Sequence, residues 1–285
     1  MIISGKTRVY GVIGEPIEHS LSPVMHNAAF EALGLDGVFL AFKVKPAEVA
    51  NAVNGMRALG VHGLNVTMPH KTSVIPHLDE IDKNARFLNA VNTIQNKNGK
   101  LLGFNTDGIG ALKALRENGV ELKGKKVLLL GAGGASRAIA YTLAHEADEL
   151  VILNRTVKPA KDLARQLKQV LPKKILASEL SARAIEDNLV DAEILINATS
   201  IGMKPNANET PVNPKWLRSN LAVMDIVYNP LETKLAKIAK EAGAKVVSGV
   251  EMLIYQGAAS FEIWTNKSAP VQVMRKATLD RLQKV

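Results

Sequence analysis

The stretch of residues 125–156, KKVLLLGAGGASRAIAYTLAHEADELVILNRT, decides the fold class of this chain. Residues 127–130 are an unbroken apolar run, which predicts a short strand buried on both faces. A glycine-rich turn follows at 131–134, and after it come an alanine-rich helix to His145 and a second apolar strand at 150–153. Strand, glycine turn, helix and strand together predict a βαβ unit of a parallel sheet.

The glycine turn also predicts a binding site. Gly131 permits a tight turn, Gly133 lets a pyrophosphate approach the backbone, and the free amides at the start of the helix attract an anion. Ser136 stands where the usual fingerprint has its third glycine. We therefore predict a dinucleotide-binding βαβ unit; the alternative is a tight strand–helix turn that binds nothing.

The end of the second strand indicates which dinucleotide is bound. Enzymes that use NAD usually carry Asp or Glu there, and the carboxylate holds the ribose 2′-hydroxyl. This chain instead has Asn154, Arg155 and Thr156, followed by Lys158. A carboxylate would repel a 2′-phosphate, whereas a guanidinium pairs with it in a fork and stacks on adenine. We therefore predict NADP as the cofactor, against the alternative that Arg155 is a solvated loop residue.

Composition limits the class of protein. A chain of 285 residues, 47% apolar and 22% charged, predicts a globular protein of two domains. No apolar run approaches the roughly 18 residues of a membrane span. The N-terminal sequence lacks the features of a signal peptide, so we predict a cytoplasmic protein without membrane contacts. The absence of Cys excludes disulfides, thiol catalysis and Cys-type zinc sites, and we predict no metal.

The charge pattern indicates the kind of partner. The net charge of +9 is spread along the chain, and aromatic residues make up only 4%. Dispersed cations and few rings for base stacking argue against nucleic-acid binding. A positive field instead favours small anionic ligands, such as NADP and a carboxylate.

Strands and helices alternate along the rest of the chain. Before the βαβ unit we predict strands at 9–14, 38–44 and 63–67, helices at 22–33, 46–60 and 109–117, and a hairpin of 92–95 with 100–104 around Asn98-Gly99. After it we predict the other elements of a six-stranded, doubly wound sheet: helices 157–170, 181–188 and 232–242, and strands 174–177, 193–197, 222–227 and 245–247.

Two helices, at 250–265 and 270–284, remain after the doubly wound sheet is complete. We therefore expect them to pack back on the first half of the chain. The predicted architecture is two α/β domains: a substrate-binding domain of residues 1–107 plus 249–285, and a Rossmann-type, NADP-binding domain of residues 108–248.

A pair of serines marks a possible anion site near the N-terminus. Ser22 is a favourable N-cap and Pro23 suits the first helical position, so Ser22 could act through capping alone. A hydroxyl can, however, accept from an amide while it donates to a ligand. Ser20 and Ser22 at a positive helix terminus therefore predict a carboxylate site.

Polar residues also gather where the strand at 63–67 ends. Asn65 and Thr67 share one face of that strand, and ligands of α/β proteins bind at such strand ends. Lys71 by itself has the character of a surface lysine. Asp107, or Thr106, could serve only as the cap of the following helix. His70 and His77 lack a metal-like spacing, and we predict structural roles for both.

Seven short segments carry most of the polar and glycine-rich positions: SLSP at 20–23, GLNVTMPHK at 63–71, NAVNT at 89–93, NTDG at 105–108, the glycine turn at 131–134, NRT at 154–156 and NAT at 197–199. In these segments and their order, the chain resembles the shikimate dehydrogenases over nearly its whole length.

The resemblance implies roles for individual residues. It implies that Lys71 and Asp107 form the catalytic pair, and that Ser20 and Ser22 hold the substrate carboxylate. Further implied substrate ligands are Asn65, Thr67, Asn92, Tyr228 and Gln256. Implied cofactor ligands are Gly131, Ala132, Gly133, Gly134 and Ala135 at the pyrophosphate, Asn154, Arg155, Thr156 and Lys158 at the 2′-phosphate, and Thr199, Ile226, Tyr228, Gly249 and Met252 around the nicotinamide.

The reaction that the resemblance implies is the reversible, NADPH-dependent reduction of 3-dehydroshikimate to shikimate, in the biosynthesis of chorismate and the aromatic amino acids. Hydride moves between nicotinamide C4 and a ring carbon, while Lys71 carries the proton of the same oxygen. The chain departs from the family pattern at three positions. His70 replaces Phe of many relatives, Ile226 replaces Met of some, and Lys83 falls near a position that is often acidic.

Two other functions stay open at this point. One is a quinate/shikimate dehydrogenase that uses NAD, because Ser22, where a Thr would narrow the pocket, leaves the choice of acid open. The other is a non-catalytic, NADP-binding regulator on the same fold, against which the retention of Lys71 and Asp107 argues. The expected partner is a small-molecule substrate, and the expected assembly is a monomer or homodimer.

Overall fold

The computed structural model describes residues 2–284 and contains two compact units. The N-terminal unit consists of the residues up to Thr106 together with the segment from Ile254 onward, and the central unit is Asp107–Leu253. The second boundary falls inside the helix Gly249–Thr265. None of the helices in residues 2–284 combines the length and apolarity that crossing a bilayer requires.

The strands and helices alternate along most of the chain. The strands are β1 Arg8–Gly14, β2 Gly37–Lys43, β3 Gly63–Val66, β4 Glu80–Ile81, β5 Thr93–Lys97, β6 Lys100–Phe104, β7 Lys126–Leu130, β8 Glu149–Asn154, β9 Lys174–Glu179, β10 Ile194–Asn197, β11 Ala222–Asp225 and β12 Lys245–Ser248. The helices are α1 Ser22–Ala32, α2 Val49–Ala58, α3 Lys83–Leu88, α4 Asp107–Glu117, α5 Gly134–Ala144, α6 Val157–Val170, α7 Ala182–Leu189, α8 Lys234–Glu241, α9 Gly249–Thr265 and α10 Val271–Leu282.

The sheet of the central unit has the strand order β12-β11-β10-β7-β8-β9, and all of its paired strands are parallel. Counted within this unit, the order is 3-2-1-4-5-6, with the reversal between β7 and β10. Strands buried on both faces explain the unbroken apolar runs of the sequence, such as residues 127–130. The structure confirms the predicted α/β class and the doubly wound sheet.

The sheet of the N-terminal unit is mixed, with the order β2-β1-β3-β5-β6-β4. β5 runs antiparallel to β3 and to β6, and its Thr93 pairs with Asn65 on one side and Phe104 on the other. This register brings the end of β3, the start of β5 and the end of β6 to the same edge of the sheet.

The C-terminal helices of the N-terminal unit contact elements from its first half. The Trp264 indole Nε1 donates to the Ile94 carbonyl at 2.9 Å, and the Gln95 side-chain Nε2 donates to the Ile263 carbonyl at 2.5 Å. α10 packs along α1. The side chains of α9 therefore face the strands that end near Asn65 and Asn92.

Two short elements of the N-terminal unit have no counterpart in the sequence predictions. β4 is two residues long, and α3 is a helix of six residues. Asp82 caps α3, since its Oδ1 accepts from the Ala85 amide at 2.7 Å. The predicted hairpin turn is present, with φ of 55° at Asn98 and 89° at Gly99.

Candidate active site

The glycine turn of the central unit leaves the start of α5 open. Gly131 has φ of 109°, and a Cβ there would lie 2.6 Å from the Ala198 carbonyl oxygen, so only glycine fits. Gly133 is the N-cap of α5 and provides no side-chain cap. A Cβ at Gly133 or Gly134 would meet nothing within 4 Å. Uncapped amides beside open space suit the pyrophosphate of a dinucleotide.

Asn154 connects this turn to the end of β8. Its Oδ1 accepts from the Ala132 amide at 3.1 Å, and its Nδ2 donates to the Thr156 carbonyl at 2.8 Å. The oxygen and the nitrogen of the Asn154 carboxamide are therefore both hydrogen-bonded to the backbone, and these bonds fix the conformation of the glycine turn. Arg155 and Thr156 are exposed. Lys158 is exposed as well, and its Nζ lies 2.8 Å from Asp162 Oδ2.

The residues expected around the nicotinamide lie at the ends of β10 and β11 and at the start of α9. The Thr199 hydroxyl donates to Asn197 Oδ1 at 2.7 Å and accepts from the Ile201 amide at 3.1 Å. A Cβ at Gly249 would lie 2.4 Å from the Ile226 carbonyl oxygen, so the start of α9 touches the backbone after β11. Burial raises the pKa of the Tyr228 phenol.

A buried polar cluster links the segments that follow β10 and β11, and sequence reasoning missed it. Asn197 Nδ2 donates to Asp225 Oδ1 at 2.9 Å, and the Thr233 hydroxyl donates to Asp225 Oδ2 at 2.6 Å. Burial raises the pKa of the Asp225 carboxyl, and these donors oppose that shift. The sequence feature that could have identified this cluster is the polar residue that ends each of two neighbouring buried strands, β10 and β11.

The two serines of the N-terminal unit lie as neighbours at the start of α1. The Ser22 amide donates to Ser20 Oγ at 3.3 Å. The prediction that Ser22 is the N-cap is wrong: Leu21 occupies that position without a side-chain capping bond, and Ser22 is the first helical residue. The reason is that the Leu21 carbonyl accepts from the Met25 amide at 3.2 Å, so the first helical hydrogen bond already begins at Leu21.

Three of the expected substrate ligands meet in one buried network. Asn92 Nδ2 donates to Thr106 Oγ1 at 2.9 Å and lies 3.5 Å from Gln256 Oε1. Asn92 Oδ1 accepts from the Thr106 amide at 2.9 Å. Asn65 Nδ2 lies 3.0 Å from Ser260 Oγ, which in turn lies 2.7 Å from Thr93 Oγ1. The network fixes the carboxamides of Asn65 and Asn92 before any ligand binds.

The hydroxyl members of this network, Thr93, Thr106 and Ser260, are residues whose role sequence reasoning missed. Thr106 was considered only as a helix cap. Ser260 follows Gln256 by four residues on α9, so both project from the same face of that helix. That spacing was the signal that could have identified Ser260.

His26 lies against the same network. Its ring stacks on Phe39 at 4.4 Å between centroids, and neither ring nitrogen has a hydrogen-bond partner within 3.5 Å among the described residues. Asn65 Oδ1 is also buried without such a partner. Burial lowers the pKa of His26 to about 3, which the Asn65 amide opposes only in part. His26 is therefore neutral and can offer one N–H toward Asn65.

The remaining candidates follow strands of the N-terminal unit along the chain, and the last of them, Asp107, is the first residue of the central unit. Thr67 directly follows β3 and is half-buried, as is Lys71, whose carbonyl accepts from the Val91 amide at 2.8 Å. Asp107 is the first residue of α4 and is only 7% exposed. His70 is buried, with Nε2 2.7 Å from the Val44 carbonyl oxygen, which agrees with a structural role. His77 lies in a short 3₁₀ turn.

These features define a class of protein: a two-unit α/β oxidoreductase whose Rossmann-type unit binds a dinucleotide. Comparisons with known proteins agree. Three family models match, "Shikimate dehydrogenase substrate binding domain" at residues 12–94, "Shikimate / quinate 5-dehydrogenase" at 113–246 and "Shikimate 5'-dehydrogenase C-terminal domain" at 249–279. A shikimate dehydrogenase (NADP(+)) of Methanopyrus kandleri is 51% identical over 284 residues, which cover 99% of this chain and 98% of the relative.

Solved structures are similar over the same span. A shikimate dehydrogenase in complex with NADP+ has a TM-score of 0.92 and 46% identity, covering 99% of this chain and 98% of the other. Shikimate 5-dehydrogenase from Listeria monocytogenes, in complex with shikimate and NAD, has a TM-score of 0.92 and 40% identity, covering 96% and 97%. The chain belongs to the shikimate dehydrogenase family. The predictions of family, enzymatic activity and NADP as cofactor are confirmed.

Proposed function

We propose that this chain catalyses the reversible, NADPH-dependent reduction of 3-dehydroshikimate to shikimate, on the route to chorismate and the aromatic amino acids. The observation that carries the proposal is the buried network around Asn65, Asn92 and Gln256. A ring with several hydroxyls needs several fixed donors and acceptors, and a network that is already hydrogen-bonded provides them without reorganisation.

In this proposal the N-terminal unit binds the substrate at two kinds of group. Ser20 and Ser22 bind the carboxylate at the positive end of α1, whose N-cap residue, Leu21, provides no side-chain acceptor. Asn65, Thr67, Asn92 and Gln256 bind the ring hydroxyls, with a contribution from Tyr228. Gln256 reaches the network from α9, which explains why the C-terminal helices belong to this unit.

Lys71 and Asp107 act as the acid–base pair in this proposal. NADPH supplies the hydride when bound. As the substrate carbonyl is reduced, the Lys71 ammonium donates a proton to its oxygen, and in the oxidative direction the neutral amine takes that proton back. The Asp107 carboxylate provides the negative charge that orients the ammonium. We infer no role for a metal, because a cation and fixed donors can polarise the carbonyl.

The central unit holds the cofactor through three groups of residues. The residues proposed for the pyrophosphate are Gly131, Ala132, Gly133, Gly134 and Ala135, whose open amides support the assignment. Those proposed for the 2′-phosphate are Asn154, Arg155, Thr156 and Lys158. Those proposed for the nicotinamide are Thr199, Ile226, Gly249 and Met252. A cytoplasmic location and a monomeric or homodimeric assembly remain predictions from the sequence.

Turnover measured with each pairing of acid and cofactor tests the proposed function. Shikimate and quinate are each oxidised with NADP+ and with NAD+, and the Lys71→Ala protein serves as the control for contaminating activity. We expect the highest kcat/KM with shikimate and NADP+. A higher kcat/KM with quinate would contradict the substrate assignment. NADP+ binding without turnover of either acid would contradict catalysis and support a regulator.

A further inference from the structure

An ion-pair cluster covers the first turns of α6, close in sequence to the residues proposed for the 2′-phosphate. Asp162 is its centre. One carboxylate oxygen, Oδ2, lies 2.8 Å from Lys158 Nζ, and the other, Oδ1, lies 3.1 Å from Arg165 Nη2. Both oxygens are therefore engaged by cations of the same helix.

A third cation joins the cluster from α5. Arg137 donates to Gln166 Oε1 at 3.0 Å, and its positive charge acts on the Asp162 carboxyl. The hydrogen bond from Lys158 and the charges of Lys158, Arg165 and Arg137 lower the pKa of Asp162, so the carboxylate is ionised at neutral pH. Three cations around one carboxylate leave a local surplus of positive charge.

The position of Lys158 matters for the cofactor. Lys158 is the second residue of α6 and lies two positions after Thr156. Its ammonium nevertheless forms a salt bridge with Asp162, one turn further along the helix. The side chain is 83% exposed and can reorient, whereas Asp162 is 31% exposed and held from two sides. If Lys158 binds a phosphate at the end of β8, that phosphate and the Asp162 carboxylate compete for the same ammonium.

We propose that Asp162 lowers the selectivity for NADP over NAD by competing with the 2′-phosphate of NADP for Lys158. The inference rests on the proposed role of Lys158 in cofactor binding. Because NAD carries no 2′-phosphate, the competition lowers the affinity for NADP and leaves that for NAD unchanged. The ion pair also gives Lys158 a partner whenever the oxidised cofactor leaves, so a site with surplus positive charge can still release NADP+.

Asp162→Asn tests this competition, because asparagine keeps the shape of the side chain and removes its charge. We expect the dissociation constant of NADP+ to fall roughly two- to fivefold, the range that one exposed ion pair supports. The constant for NAD+ should stay within the error of the titration. The gain should shrink with added salt, because both competing interactions are exposed and screened. Unchanged or weaker NADP+ binding would overturn the proposal.

Two further proteins complete the experiment. Asp280→Asn is the matched control, since Lys276 and Asp280 form an i, i+4 pair on α10 with 2.5 Å between Nζ and Oδ2; it should leave both dissociation constants unchanged. Lys158→Met should weaken NADP+ binding several-fold, and adding Asp162→Asn to it should then bring little gain. A full gain without Lys158 would contradict competition for that residue. No effect of Lys158→Met would instead remove Lys158 from the proposed cofactor site.

Discussion

The two units position their candidate ligands by different means. In the central unit the candidate ligands of the cofactor are mainly backbone groups. Gly131, at φ of 109°, turns the chain, and the uncapped amides at the start of α5 follow it. In the N-terminal unit side chains from four separate segments, those of Asn65, Asn92, Thr106 and Ser260, bond to one another. The conformation of the glycine turn is determined by neighbouring residues in the sequence, whereas the side-chain network forms only in the complete tertiary fold.

The comparison predicts that the central unit is most sensitive to a change of backbone conformation. Gly131→Ala introduces a Cβ 2.6 Å from the Ala198 carbonyl oxygen at a positive φ. We expect a loss of about 2–4 kcal/mol in the free energy of unfolding, from backbone strain and the clash together. Denaturant unfolding measures this loss.

Gly133→Ala is the matched control for the glycine turn, because φ there is −76° and a Cβ would meet open space. It should unfold like the wild type but bind NADP+ more weakly, since the added methyl stands where the pyrophosphate approaches. Equal stabilities of the two variants would contradict the backbone account.

Replacement of Arg155 tests whether a side chain of the central unit contributes to cofactor binding. If its guanidinium binds the 2′-phosphate, Arg155→Ala should weaken NADP+ binding by about 1.5–3 kcal/mol, the value of a charge-assisted hydrogen bond. NAD+ binding should change little. Calorimetric titration gives both values, with Arg183→Ala, an exposed arginine of α7, as the control. Equal losses for both cofactors would mean that Arg155 only supports its loop.

His26 makes the N-terminal unit sensitive to acid. Its pKa is about 3 in the fold, against about 6.5 in an unfolded chain, so between these values the unfolded state binds an extra proton. Stability therefore falls with falling pH, by up to about 1.4 kcal/mol per pH unit, or about 1.6 kcal/mol from pH 6.5 to 5. Unfolding measured at several pH values in His26→Gln should show a flatter decline than in the wild type.

His145→Gln is the control for this titration, because His145 is exposed at the end of α5. A His26→Gln profile as steep as the wild-type profile would show that other groups cause the decline.

Ser260 tests the side-chain network with the smallest expected effect. Ser260→Ala removes contacts with Asn65, Thr93 and Thr106. We expect a loss of about 1–2 kcal/mol in stability and a several-fold rise in KM for shikimate, while NADP+ binding is unchanged. Thr265→Val is the control on the same helix, since the Thr265 hydroxyl donates to the Phe261 carbonyl at 2.8 Å and accepts from the Lys267 amide at 3.2 Å, both outside the network. A similar rise in KM for both variants would contradict the network.

The difference between local backbone structure and a tertiary side-chain network also explains which features the sequence could predict. The strands and helices of the central unit follow from local patterns, and the predicted helix 157–170 matches α6. β4 and α3 were missed because two and six residues are too few to show a period. The bond between Asn65 and Ser260 joins residues 195 positions apart, so no local pattern contains it. The N-cap prediction for Ser22 failed because the first helical hydrogen bond is accepted by the Leu21 carbonyl, and a backbone acceptor leaves no mark in the residue types.

The central claim is that Lys71 and Asp107 act together on one proton. Its most direct test is kcat for shikimate oxidation with NADP+ in the wild type, Lys71→Ala, Asp107→Asn and the double variant. We predict that Lys71→Ala lowers kcat about 10²–10⁴-fold, the usual range for a positioned acid–base group, with a smaller change in KM because the proposed carboxylate ligands, Ser20 and Ser22, are unchanged. Asp107→Asn should lower kcat while the melting temperature stays nearly the same. The double variant should lose much less than the product of the single losses, since paired groups act as a unit. A near wild-type kcat in Lys71→Ala, or losses that multiply independently, would contradict the account.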